Sequence, residues 1–195
     1  MKLEEILEKN GITLDSDTTQ KLNIYSKEII EWNSIHNLTG AKSIDEVYQN
    51  ILDSIYPIKF IQEPKTLLDI GSGAGFPAMV LGIVWSNCQT TLCEPRNKRA
   101  SFLRYIAVEL ELQNIKVEKK RVEDLKGVEF ELITSRAVNR VELLLNLSKH
   151  LSSKSSKYLL FKGEMVFEEI KNLNLDYEIF KRGSRNYLFI KGLGE

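Results

Sequence analysis

The sequence predicts an α/β fold: a doubly wound, mostly parallel seven-stranded sheet that ends in an antiparallel C-terminal hairpin and carries a helical N-terminal extension. Three observations point there. From residue 64 onward, short apolar and β-branched runs alternate with stretches of helical periodicity, the pattern of successive βαβ units. The first of those runs, Leu67-Leu68-Asp69-Ile70, leads into Gly71-Ser72-Gly73-Ala74-Gly75-Phe76-Pro77 and then an apolar segment, Met79 to Val84, that opens a helix. Residues 1–63 instead show helical stripes without strand-like alternation. The expected organisation is a helical extension over 1–63 and one compact core over 64–195.

In chain order, Leu3, Ile6 and Leu7 predict a short helix stopped by Asn10-Gly11, and Asp15 or Ser16 caps a longer one. Leu22, Tyr25, Ile29 and Trp32 recur at helical spacing and form one apolar stripe, read as core. The segment Glu31 to Gly40 is expected as a polar loop bent over the site, with His36 structural. A third helix starts at Ser43, with Glu46 completing a capping box, and runs to about Tyr56, before Pro57. Strands are expected over 66–70, 90–94, 115–119, 130–135 and 157–162, then 176–181 and 186–191 joined by Gly183-Ser184 as a hairpin. Helices are expected over 77–85, 96–111, 138–151 and 164–172.

The glycine loop is the part of this scaffold that carries chemistry. Glycine permits a sharp turn and a close backbone approach to a ligand, and a helix N-terminus offers unpaired amides. A dinucleotide fingerprint would read G-x-G-x-x-G, whereas this chain has G-x-G-x-G, with Asp69 two residues ahead. That spacing resembles the loop of S-adenosylmethionine-dependent methyltransferases. An acid beside the loop attracts the ammonium and sulfonium of that cofactor and would repel a pyrophosphate. Glu94 closes the second strand about 20 residues on, where a carboxylate can take both ribose hydroxyls. It indicates a nucleoside cofactor without choosing its kind.

Composition narrows the class further. The 195 residues suit one domain, with no apolar run of membrane-span length and no signal-peptide order at the start, so a cytoplasmic protein is expected. Cys88 and Cys93 lack metal-ligand spacing and read as reduced, structural thiols; no metal is expected. Lys and Arg total 27 and Asp and Glu 27, yet residues 1–63 hold 6 bases against 11 acids. The remainder is therefore net basic, with clusters at Arg96, Lys98, Arg99 and Arg104, at Lys119, Lys120 and Arg121, and at Lys181, Arg182 and Arg185. Brought to one face, these can track a phosphate backbone.

Ligands in open α/β sheets sit beyond the carboxyl ends of the strands. Three strand ends there carry a cation: Arg121, followed by Val122-Glu123-Asp124; Ser135-Arg136-Ala137; and Lys162-Gly163. Convergence of Arg121, Arg136 and Lys162 on one crevice would suit an anionic substrate better than a cationic cofactor. Salt bridges to Glu94, Glu123 or Asp124 are the structural alternative.

A family resemblance extends over almost the whole chain. Glu31-Trp32-Asn33 with Asn37-Leu38-Thr39, Ile51-Leu52-Asp53-Ser54, Asp69 to Pro77, Lys98-Arg99 with Phe102-Leu103-Arg104, Arg121-Val122-Glu123, Ser135-Arg136-Ala137 and Lys162-Gly163 resemble the bacterial small-subunit ribosomal RNA guanine methyltransferase family RsmG, also called GidB. The resemblance implies a class I, Rossmann-like methyltransferase fold. It also implies methyl transfer from S-adenosylmethionine to nitrogen-7 of one guanine in the 530 loop of 16S ribosomal RNA, naked or in the small subunit. Family cofactor positions match Gly71, Phe76, Val122, Glu123 and Arg136. With Asp69, Gly73, Gly75 and Glu94 these form the expected cofactor site. Arg121, Arg136 and Lys162 are expected to position substrate without a general base, and Lys98, Arg99, Arg104 and Arg185 to contact RNA. This chain departs from the pattern at Asn50, where histidine is frequent, at Lys42, where arginine is, and at Ala74 and Ala78, where proline and glycine are. A monomer is expected. The rival readings are a nicotinamide oxidoreductase, a methyltransferase for small molecules or protein, and an inactive RNA-binding relative.

Overall fold

The structure, a computed structural model, describes residues 2–127, 129–136 and 140–193. Ala137 and the expected start of a helix at residue 138 lie outside the described residues.

Three helices open the chain: α1 (Leu3–Lys9), α2 (Ser16–His36) and α3 (Ile44–Ile55), the last followed by a 3₁₀ turn over Tyr56–Lys59. Asp15 caps α2 by accepting from the Thr18 amide, which holds its carboxyl below the usual range. Ser43 caps α3 by accepting from the Glu46 amide, while the Glu46 carboxylate takes the Lys42 amide, one residue before the expected capping-box donor. The expected loop over Glu31 to Gly40 is shorter than its polarity suggested, because α2 continues to His36 and stops at Asn37 in the left-handed region (φ 50°). The Asn33 side chain then folds the loop back, donating to the Ala41 carbonyl (2.8 Å) and accepting from the Thr39 amide (2.9 Å).

The strands are β1 (Thr66–Ile70), β2 (Gln89–Cys93), β3 (Ile115–Glu118), β4 (Leu132–Arg136), β5 (Lys157–Lys162), β6 (Leu175–Arg182) and β7 (Arg185–Leu193). The connecting helices are α4 (Ala78–Val84), α5 (Asn97–Glu109), α6 (Val141–Ser148) and α7 (Val166–Ile170). The sheet order is β3-β2-β1-β4-β5-β7-β6, parallel through β5 and antiparallel for β5–β7 and β6–β7. Strand order reverses at β1, between β2 and β4, so the ligand crevice of this topology opens there.

Period-two alternation splits the core in two. Leu67, Leu92, Leu132, Leu159 and Phe161 face one cluster, which also holds Leu3, Leu22, Tyr25, Ile29, Val47 and Ile51 of the N-terminal helices. Leu68, Ile70, Ile133, Tyr158 and Leu160 face the other, covered by Val141 and Leu144 of α6 and Val166 and Ile170 of α7. The first three helices therefore share a continuous core with one face of the sheet. Each fully buried Leu or Ile in that stripe contributes about 1.5–3 kcal/mol relative to exposure.

Candidate cofactor and substrate site

The glycine loop turns as its composition demands. Gly71, Gly73 and Gly75 have φ of 72°, 60° and 107°, a region that disfavours side chains. At Gly75 a Cβ would also lie 2.7 Å from the Tyr25 hydroxyl and 2.8 Å from Met79 Cβ. The Tyr25 hydroxyl, from the middle of α2, donates to the Ala74 carbonyl at 2.7 Å, so the N-terminal extension holds the loop directly.

Four of the loop's amides are engaged within the protein. Gly71 and Ser72 donate to the Cys93 carbonyl (2.9 and 3.2 Å), Gly75 to the Ser72 carbonyl (2.7 Å) and Gly73 to a Glu94 oxygen (2.8 Å). The other Glu94 oxygen accepts from the Arg96 amide at 2.8 Å. Glu94 thus clamps the loop to the end of β2, and its carboxylate keeps spare lone pairs for further donors.

Asp69, in β1, supplies the clearest electrostatic signature. It is 1% exposed; Oδ1 accepts from the Thr134 hydroxyl at 2.9 Å, while Oδ2 has no hydrogen-bond partner. Burial pushes the Asp69 carboxyl up to about 7, against hydrogen bonding from Ser72 and Thr134 that works to lower it. With Glu94 also buried, two acids stand beside one loop. A buried acceptor atom without a partner calls for a donor, and a cationic donor best. The S-adenosylmethionine ammonium would be such a donor; a pyrophosphate would aggravate the charge.

Across the crevice, Arg136 at the end of β4 lies 5.3 Å from the centre of the Phe76 ring, and its Nη2 donates to Asn50 Oδ1 at 2.5 Å. Its Nη1 is 3.7 Å from Asp53 Oδ2 and makes no hydrogen bond. Burial lowers the Arg136 pKa, and the attraction of Asp53 opposes that shift. A cleft of about 510 Å³ opens beside it, lined by Thr39, Asp45, Gln49, Asn50 and Arg136 among others.

The three expected substrate cations do not converge. β3 and β5 are separated by β2, β1 and β4, four strand spacings or about 19 Å at the usual separation, so Arg121 and Lys162 stand on opposite sides of the crevice. Lys162 is buried and pairs with Glu169 of α7 at 2.7 Å. Arg121 is exposed ahead of the 3₁₀ turn Val122–Asp124, in which Val122 is buried and Glu123 exposed. Lys98 and Arg104 are exposed on α5 and Arg99 is half-buried; Arg104 reaches the Val117 carbonyl (3.4 Å), and Lys119 donates to Asn97. Arg185, grouped by sequence with a basic cluster, instead donates through Nε to both oxygens of Asp53 (3.1 and 3.0 Å).

Sequence reasoning did not select Asp53 or Tyr187 as site residues, and singled out Asn50 only as a departure from the family pattern. The signal for Asp53 was an acid among the apolar Ile51, Leu52 and Ile55; the whole run, Asp53 included, is buried. Burial pushes the Cys88 and Cys93 thiols up to about 11 and about 12, so both remain protonated at neutral pH. A smaller cavity of about 260 Å³ lies near the amino ends of β1 and β2, beside Leu125 and Phe130, away from this crevice.

Comparison with known proteins agrees with this geometry. Residues 18–192 match the family model described as rRNA small subunit methyltransferase G. Ribosomal RNA small subunit methyltransferase G of Aliarcobacter butzleri is 40% identical over 192 residues, covering 98% of this chain and 99% of that one. The protein of the same name from Wolinella succinogenes is 39% identical over 191 residues, 98% of each chain. Among solved structures, a SAM-dependent methyltransferase from Aquifex aeolicus superposes with a TM-score of 0.58 at 13% identity, covering 73% of this chain and 92% of that one. The ribosomal protein L11 methylase of Lactobacillus delbrueckii subsp. bulgaricus gives 0.58 at 15% identity, covering 74% and 79%; both share the fold. A Rossmann-like methyltransferase fold with an acid-lined glycine loop, matched by relatives along its whole length, places this chain in the rRNA small subunit methyltransferase G (GidB) family.

Proposed function

We propose that the protein transfers a methyl group from S-adenosylmethionine to nitrogen-7 of a guanine in the 530 loop of 16S ribosomal RNA, as a cytoplasmic monomer acting on the RNA or the small subunit. The observation that carries this reading is family membership over nearly the full chain, with relatives named for small-subunit ribosomal RNA. Oδ2 of Asp69 supports the cofactor assignment. No helix among the described residues is long and apolar enough to cross a membrane. The division into an extension (1–63) and a core (64–195) is proposed as one of role, the extension bracing the loop through Tyr25.

S-adenosylmethionine supplies a sulfonium-activated methyl group. Guanine nitrogen-7 has an in-plane lone pair and no proton, so its attack needs neither a general base nor a Lewis acid. What remains for the chain is alignment at near-attack distance and a field suited to charge leaving sulfur for the purine. In this mechanism Asp69 with the loop at Gly71, Gly73 and Gly75 holds the methionine end. Glu94 takes the ribose hydroxyls on its spare lone pairs, while Val122 and Glu123 border the adenine and Phe76 closes the pocket. Arg136, beside Phe76 at the end of β4, would meet both cofactor and substrate, its charge suited to guanine O6 or a phosphate. Lys162, oriented by Glu169, guards the same side. Arg121 acts from the opposite rim, where Lys98, Arg99 and Arg104 extend a track for the RNA backbone. Arg185 contributes through Asp53 as well as by its charge.

The test is transfer of labelled methyl to 16S RNA and to small subunits from unmodified cells, followed by chemical mapping. Label at one guanine of the 530 loop is expected. Label at another site would overturn the target, and label on protein or small molecules alone would overturn the substrate class.

A further inference from the structure

A second polar cluster lies where three distant pieces of chain meet: Asn50 and Asp53 of α3, Arg136 at the end of β4, and Arg185 and Tyr187 at the start of β7. Asp53 is 7% exposed, and a carboxylate so buried needs close partners. Arg185 Nε engages both of its oxygens, and the Tyr187 hydroxyl donates to Oδ1 at 2.9 Å. Arg185 also reaches the Lys162 carbonyl at 3.4 Å, which ties the cluster to the end of β5.

This arrangement leaves Arg136 incompletely satisfied. Two guanidiniums share one carboxylate, so the trio carries net positive charge. Arg185 Nε and the Tyr187 hydroxyl anchor the Asp53 carboxylate, with Oδ2 3.7 Å from Arg136 Nη1, a separation for charge attraction and not for a hydrogen bond. Asn50 fixes Nη2, and the Phe76 face restrains the guanidinium plane. The guanidinium is held in place with Nη1 enclosed and unpaired, while the side chain, 20% exposed, lines the cleft with Thr39, Gln49 and Asn50.

We infer that Asp53 is a positioning residue for methyl transfer: anchored by Arg185 and Tyr187, it holds the Arg136 guanidinium at the crevice by charge, so that the exposed part of Arg136 is presented to an anionic oxygen of the substrate. The inference rests on the function proposed above and deepens it. It makes α3, part of the N-terminal extension, a contributor to substrate alignment. Without Asp53 the guanidinium keeps only Asn50 and the Phe76 face to hold it. The alternative is a clasp that only fastens α3 to the sheet.

Full-length Asp53→Asn and Asp53→Glu proteins separate these accounts, measured by thermal melting, by S-adenosylmethionine titration, and by kcat and KM on unmodified small subunits. The Asp53→Asn change keeps an acceptor for Tyr187 and removes the charge. Positioning predicts a fall in kcat of about 30-fold or more, a loss typical of misplaced reacting groups, that exceeds any weakening of cofactor binding at unchanged melting temperature, with partial rescue by glutamate. A folded Asp53→Asn protein whose kcat stays within about threefold of wild type overturns the inference, since orientation effects of this kind are larger. So does a loss of kcat, cofactor affinity and melting temperature together that an osmolyte restores together, which is the signature of a clasp. Should Asp53→Asn not fold, Tyr187→Phe removes one anchor of the carboxylate and is expected to raise the RNA KM about fivefold, the worth of one hydrogen bond. An unchanged KM then overturns the inference. Wild-type protein that binds the cofactor but methylates no RNA refutes the functional reading itself, whereas active wild type with equally active Asp53→Asn refutes only the role of Asp53.

Discussion

Replacing Asp69 by asparagine is expected to stabilise the cofactor-free protein and weaken its hold on S-adenosylmethionine. The carboxyl moves from its ordinary value of 3.8 to about 7 on folding. Between those values the folded chain keeps a proton that the unfolded chain has released, so stability falls as pH rises through the window and the cost is complete above it. A rise of that size corresponds to about 4 kcal/mol at most. Asparagine removes that cost but leaves an amide donor where Oδ2 had no partner, an offset of about 1–3 kcal/mol. The net gain is about 1–3 kcal/mol at pH 8, and it is lost as pH falls from about 7 toward about 3, where aspartate is neutral in the folded chain and mostly neutral in the unfolded one. Cofactor binding moves the other way, because a charge-assisted hydrogen bond worth about 1.5–3 kcal/mol is lost, a 10- to 100-fold weakening. Urea unfolding at pH 8 and at low pH, with calorimetric titration of the cofactor, reads both effects. A variant less stable than wild type at pH 8, or one that binds the cofactor normally, would refute the assignment of Oδ2 to the ammonium.

Other expectations follow from the same geometry. Wild-type affinity for S-adenosylmethionine should decline by up to about tenfold per pH unit as pH drops below 7, since binding favours ionised Asp69; a flat profile in titration calorimetry between pH 5 and 7 would exclude that linkage. Gly75→Ala combines a φ of 107° with a Cβ under 3 Å from Tyr25 and Met79, and should cost about 3 kcal/mol or more. Gly163→Ala, with nothing within 4 Å, should be nearly neutral by comparison. Tyr25→Phe should lose about 1–2 kcal/mol with the bond to the Ala74 carbonyl, read by urea unfolding. If Lys98 and Arg121 contact RNA phosphates, neutralising each should lower the slope of log affinity against log salt by about 0.7–0.9, and an unchanged slope in filter binding would remove them from the interface.

What could be read from sequence was local. The glycine loop, the period-two strands and the caps at Asp15 and Ser43 depend on neighbours a few residues away, and the chain order of strands and helices followed from them. The stripe Leu22, Tyr25 and Ile29 was recognisable as core, but not that the Tyr25 hydroxyl would reach the loop 49 residues on. Glu94 was placed correctly at a strand end, while its hold on the Gly73 and Arg96 amides depends on the loop's three-dimensional path. Asn33 and Ser34 made the end of α2 look like a loop; the Asn33 side chain caps the turn from inside the helix. The pairing of Asp53 with Arg185, 132 positions away, lies beyond any pattern of spacing. The separation of Arg121 from Lys162 was deducible, because the strand order of this fold sets β3 and β5 apart.

The central claim is that this chain aligns an electrophilic methyl with a lone pair that needs no deprotonation. Its most direct test is the identity of the methylated atom: small subunits from unmodified cells are incubated with the protein and S-adenosylmethionine, the RNA is digested, and the nucleosides are resolved by mass spectrometry against standards. The account predicts 7-methylguanosine as the sole new product, in a stoichiometry approaching one per 16S RNA. Methylation at an exocyclic amine, at ring nitrogen-1 or at a ribose hydroxyl would require removal of a proton, and would contradict a mechanism built on positioning alone.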